Sequence, residues 1–152
     1  MKKILVPIDG SKHADLAMEK AREFAEMFGS SVVLLHVNDF HQHMFNYNAG
    51  VEEHFIELFE QMSVNILEGG KEKLAALGDR VETVKLEGGV ATKIIDYANA
   101  NDFDMVIIGS HGKGALHNFL MGSVAHKIIM HANKPVLVIR EQTAQDTKQK
   151  MK

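Results

Sequence analysis

Five short apolar runs alternate with stretches of helical periodicity, and this alternation constrains the chain more than any other feature. Residues 3–8 (KILVPI), 31–37 (SVVLLHV), 104–109 (DMVIIG) and 135–140 (PVLVIR) are apolar on nearly every position, the pattern of strands buried on both faces. Residues 79–88 (DRVETVKLEG) alternate instead, through Val81, Thr83 or Val84, and Leu86, as a less buried strand does. Between the runs, apolar residues recur at helical spacing. Ala14, Ala17, Ala21, Phe24 and Phe28 make one stripe, and Val51, Phe55, Leu58, Phe59, Met62 and Ile66 a second. Ala91, Ile94, Ile95 and Ala98 make a third, and Leu120, Val124, Ile128 and Ala132 a fourth. The order β-α-β-α-β-α-β-α-β predicts an α/β protein with a five-stranded parallel sheet covered by helices on both faces. Right-handed crossovers then make a doubly wound open sheet the simplest topology. Such sheets bind ligands beyond the carboxyl ends of the strands, where strand order reverses.

The 152 residues predict one domain over 1–140 and a polar tail over 141–152 (EQTAQDTKQKMK). A net charge of -3 argues against a nucleic-acid partner, which calls for a basic face. The absence of cysteine excludes disulfides and thiolate chemistry and fits a reducing, cytoplasmic setting. No apolar run approaches the roughly 20 residues of a membrane span. Residues 38–50 (NDFHQHMFNYNAG) read as a loop, long against the usual βα connection of about 2–6 residues.

At the end of the fourth predicted strand stands GSHGKGALHNFLMGS, Gly109 to Ser123. Glycine costs backbone entropy wherever order is needed. On spacing alone, two readings stay open. In the first, Gly109 and Gly112 turn the backbone tightly and leave its N–H groups open to an anion, Gly122-Ser123 starts the next helix with Ser123 as its cap, and Ser110 and Lys113 add contacts. In the second, the segment is only a glycine-rich connection. It is neither G-x-x-x-x-G-K-[ST] nor G-x-G-x-x-G. Asp9, just past the first strand, has a similar pair of readings: a ligand contact, or a cap for a helix starting near Ser11.

The pattern G-x-x-G-x9-G-[ST], met by Gly109, Gly112, Gly122 and Ser123, resembles the nucleotide-binding motif of the universal stress protein family. "ILVPIDGS" resembles that family's first strand and turn, and "GGVATKIIDYANANDFDMVIIGSHG" and "GSHGKGALHNFLMGSVAHKIIMHANKPVLVIR" resemble its later parts. The resemblance covers residues 2–140, with 38–60 the least typical stretch. It implies a sheet of order 3-2-1-4-5, Rossmann-like and akin to the adenine nucleotide alpha-hydrolases. The intact glycine motif implies the ATP-binding subgroup. Carried over by position, Pro7 and Ile8 would border the adenine, and the backbone of Val37 would read its edge. Asp9 would meet the ribose, or Mg or Mn held with the phosphates. Gly109, Gly112, Gly122, Ser123 and Val124 would hold ribose and phosphates, with Ser110, His111 and Lys113 beside them. The last strand would be an edge, apolar throughout, and edges of that kind invite pairing. The resemblance implies a homodimer through Val136, Leu137, Val138 and Ile139.

Other candidates have plainer roles. His41, His43 and His54 lack the spacing that fixes a metal geometry. His36 reads as an ordinary partly buried histidine, and His111 and His117 flank the glycine segment. Met27, Met62, Met105 and Met121 read as core packing, and Phe55 and Phe59 as a helix-core pair. Phe45 and Tyr47 would form a lid or fill a cluster under the 38–50 loop. No G-x-S-x-G elbow and no paired carboxylates are evident. The sequence thus predicts a regulatory ATP-binding module whose stretch 38–60 reports occupancy. Its competitors are a slow ATPase or autophosphorylating protein, with Ser110, Ser123 or His111 near the terminal phosphate, and a nucleotide-independent stress-related interaction protein.

Overall fold

The computed structural model describes residues 1–43, 49–112 and 121–142. Strands β1 (Lys3–Pro7), β2 (Ser31–Asn38), β3 (Val81–Glu87), β4 (Met105–Gly109) and β5 (Val136–Ile139) form one parallel sheet of order β3-β2-β1-β4-β5. Helices α1 (Lys12–Phe28), α2 (Phe40–His43), α3 (Ala49–Lys73), α4 (Val90–Ala100) and α5 (Ser123–His131) surround it, with a 3-10 segment over Ala75–Arg80.

The apolar runs are explained by burial on both faces. Ile4, Val6, Leu34 and Ile107 face a core shared with α1 and α3, while Leu5, Val33, Leu35 and Val106 face a second core with Ile94 of α4 and Ile128 of α5. β3, at the edge, is buried at Val81 and largely exposed beyond it, as its alternating sequence predicts.

α1 begins where Ser11 accepts the Ala14 N–H at 3.1 Å and ends at Gly29 in the left-handed region, φ 67. Both are ordinary signals of helix termini. Its buried face is Ala14, Ala17, Met18, Ala21 and Ala25, small residues that let the helix lie close to the sheet. Phe28, the last residue of α1, is not on that face but 53% exposed, its ring edge-on to that of Phe24 at 6.1 Å.

Two further expectations are corrected. The stretch read as a loop over 38–50 contains α2, because Phe40 is buried against the Phe59 ring at 5.0 Å and the Asn38 Oδ1 accepts its N–H at 3.0 Å. α3 starts at Ala49 and runs to Lys73, so much of 38–60 is helix. Met27, Met62 and Met121 are not core but exposed, and only Met105 packs against the interior.

Candidate functional site

β1 and β4 are neighbours, and the chain leaves them in opposite directions across the sheet, toward β2 and toward β5. Beyond their carboxyl ends lies a cleft of about 730 Å³. Pro7, Ile8, Asp9, Val37, Gly109, Ser110, His111, Gly112, Gly122, Ser123 and Val124 all line it. Lys113, Phe45, Tyr47, His117 and Leu120 lie outside the described residues, as does the tail beyond residue 142.

The glycines are needed for space rather than for turning. Gly109, Gly112 and Gly122 all have negative φ. A Cβ on Gly109 would stand 2.7 Å from the backbone of His13, so α1 crosses β4 in contact there. A Cβ on Gly112 would stand 2.7 Å from Asp9 Oδ2, and one on Gly122 2.9 Å from the Ser110 carbonyl. The Gly122 N–H donates to that carbonyl at 2.7 Å, which ties the end of β4 to the start of α5. The glycine spacing therefore fits three close approaches around one cleft end.

That end is polar. Asp9 Oδ1 accepts the Ser11 N–H at 2.9 Å, which holds the carboxylate at the turn between β1 and α1. Ser11, and not Asp9, caps α1. Gly122, and not Ser123, is the cap residue of α5, and no side chain closes that terminus. First-turn N–H groups have no intrahelical acceptor, so Ser123 and Val124 present a partial positive charge to the cleft. The Ser110 Oγ lies 2.9 Å from His111 Nδ1, and the His111 ring lies 5.2 Å from that of His13.

The other end is apolar and was missed in the sequence. Phe59, Met62 and Ile66 of α3 form one wall, with Val90 and Ile94 across the cleft. Their helical stripe is indistinguishable from a core stripe until the neighbour is known. His36 also lines the cleft, its Nδ1 2.9 Å from the Ile8 carbonyl.

Behind this wall, Glu60 of α3 pairs with Lys85 of β3 and accepts from Asn38 Nδ2 at 3.4 Å. The Lys85 hydrogen bond holds the Glu60 carboxyl below the usual carboxylate range. At the opposite edge of β1, the Lys3 and Lys2 N–H groups do the same for Asp104. Among the described residues, no group of three or more His, Asp or Glu gathers to hold a metal ion. Among the same residues, no helix is long and apolar enough to cross a membrane.

A doubly wound parallel sheet with a cleft at its switch point, polar at one end and apolar at the other, defines an α/β protein of Rossmann-like architecture. The family model of the universal stress protein family matches residues 1–140, and the chain belongs to that family. It is 32% identical to universal stress protein MJ0577 of Methanocaldococcus jannaschii, covering 94% of this chain and 97% of that one. The solved structure of MJ0577 superposes with a TM-score of 0.84 over 94% of this chain and 98% of the other. YxiE of Bacillus subtilis is 32% identical, over 91% of this chain and 98% of its own. The universal stress protein from Archaeoglobus fulgidus in complex with dAMP is 26% identical, with a TM-score of 0.63 over 91% of this chain and 98% of that one.

Proposed function

We propose that this chain is a regulatory nucleotide-binding module that takes ATP in the switch-point cleft. The observation that carries the proposal is the convergence of Gly109, Gly112, Gly122 and the uncapped start of α5 on one polar cleft end. Such a helix start favours phosphate, and the dAMP complex of the Archaeoglobus fulgidus relative supports an adenine nucleotide. In this reading Pro7, Ile8 and Val37 border the base. Asp9 meets the ribose, or a Mg or Mn ion whose remaining ligands come from phosphates and water. Gly109, Ser110, His111, Gly112, Lys113, Gly122, Ser123 and Val124 surround the ribose and phosphates.

The module is proposed as a cytoplasmic stress-response homodimer, one domain over 1–140, paired through Val136, Leu137, Val138 and Ile139 of β5. Its edge position supports this. A second reading, slow hydrolysis or self-phosphorylation, draws on the Ser110–His111 hydrogen bond. Phosphate release or label transfer that survives repurification would favour it.

The deciding experiment is to purify the protein without added nucleotide, denature it and identify what is released by mass spectrometry. Near-stoichiometric ATP supports the proposal. A protein that is empty and also fails to take up added ATP, with or without Mg²⁺, overturns it.

A further inference from the structure

The ladder between β1 and β2 stops one rung early, and His36 stands where the missing rung would be. In a parallel sheet, alternate residues of a strand turn their N–H and C=O toward one neighbour and the residues between them toward the other. Leu35 turns toward β1, since its carbonyl accepts the Ile8 N–H at 2.8 Å. Asn38 turns toward β3, since its carbonyl accepts the Gly88 N–H at 3.0 Å. Val37 shares the parity of Leu35, so both its backbone groups point to the β1 side. The next rung would join the Val37 N–H to the Ile8 carbonyl. That rung is not made: the pairing ends at Pro7 with Leu35, and the Ile8 carbonyl lies 2.9 Å from His36 Nδ1. A carbonyl only accepts, so His36 Nδ1 carries the proton and donates it.

The chain past Ile8 then leaves the sheet through Asp9 and Gly10, the latter at φ 77. The Val37 side chain is buried with the α4 core. What Val37 brings to the cleft is therefore its backbone edge, one donor beside one acceptor.

We infer that His36 is a positioning residue: by occupying the Ile8 carbonyl it keeps the β1–β2 ladder from closing over Val37, so that the Val37 backbone edge, already the proposed adenine contact, stays open to the base. Adenine offers a ring-nitrogen acceptor beside the N6 amino donor, which matches an N–H beside a C=O. An oxopurine places a carbonyl oxygen where the amino group would be, and that oxygen would face the Val37 carbonyl. The inference rests on the proposed nucleotide site and adds the side chain that keeps its base contact open.

The test uses His36→Leu, which removes the donor, and His36→Asn, whose Nδ2 replaces Nδ1 as a donor. Amide hydrogen exchange by NMR and affinities for ATP and ITP are measured on each variant and on the wild type. In the ligand-free wild type, the Val37 amide exchanges much faster than that of Leu35. In His36→Leu it becomes protected as the rung closes, and in His36→Asn it stays fast. The ATP-to-ITP affinity ratio falls about tenfold in His36→Leu, the scale of one lost hydrogen bond, and recovers in His36→Asn.

A Val37 amide already protected in the wild type overturns the inference, as does a folded His36→Leu with an unchanged ratio. A wild type that binds neither nucleotide removes the proposed site and the adenine contact with it, while the exchange of Val37 still decides whether His36 holds the rung open.

Discussion

Asp9 Oδ2 stands 2.7 Å from the point where a side chain on Gly112 would begin. The two residues come from loops about a hundred positions apart, and their approach closes one end of the cleft. Gly112→Ala must push one of them back. Because the atom met is the tip of the Asp9 side chain and not backbone, its expected cost is at most about 1 kcal/mol, the low end of the range for forcing one carbon into a filled site, with a loss of nucleotide affinity. In an Asp9→Ala background the same substitution should cost clearly less, because the clashing atom is gone. A double-mutant cycle by urea unfolding checks this, and additive effects would refute the contact.

Ser11 is the side chain that closes the start of α1. Ser11→Ala is expected to lower stability by about 1 kcal/mol, whereas Ser123→Ala, at a helix start it does not cap, should change it by less. Chemical denaturation of the two variants gives the comparison.

The Glu60–Lys85 pair ties α3 to β3 behind the cleft. Lys85 lowers the Glu60 pKa from its ordinary 4.5, so the unfolded chain takes up a proton at higher pH than the folded one. The pair's stabilisation is therefore complete above the unfolded value and lost as pH falls through the folded one. Both side chains are about a third exposed, which limits the contribution to about 0.5 kcal/mol. Glu60→Gln should be less stable than wild type by about that amount at pH 7 and equal to it near pH 3. Thermal melts across that range measure it, and a gap that persists in acid would contradict the assignment.

The β5 edge can be tested without touching the sheet. The carbonyls of Pro135 and Ile139 accept from Val106 and Ser110 of the β4 side, so the backbone groups of Val138, of opposite parity, face outward. Val138→Pro removes an outward N–H and spares the β4 ladder. Sedimentation should show the wild type as a dimer and Val138→Pro as a folded monomer. A wild type that is monomeric at micromolar concentration would remove the dimer from the proposal.

The strands were legible because burial on both faces leaves apolar residues on consecutive positions, as in Ile4-Leu5-Val6 and Val32 to Leu35. The helices were legible by their stripes, but not what the stripes face: Phe59 and Met62 line the cleft, and Met27 faces water. Periodicity reports a face, not its neighbour. The glycine positions were legible as a site, while their reason was not. Gly109 is fixed by the backbone of His13 and Gly112 by Asp9, contacts between segments far apart in sequence. His36 gave no signal, since its partner is a main-chain carbonyl on another strand.

The placing of β1 at the centre of the sheet has a consequence for how the protein comes into being. β1 must pair with β2, close by in the chain, and also with β4, where Ile4 meets Met105 only after a loop of about a hundred residues has closed. Contacts of that span form late. The apolar end of the cleft draws on α3 and β2, and the glycine end on β4 and α5, so a chain with only its first three strands in place lacks the polar half of the cleft. A ligand that touches both ends of the cleft would therefore bind best to chains in which the two halves have met, and by mass action would draw the population toward them.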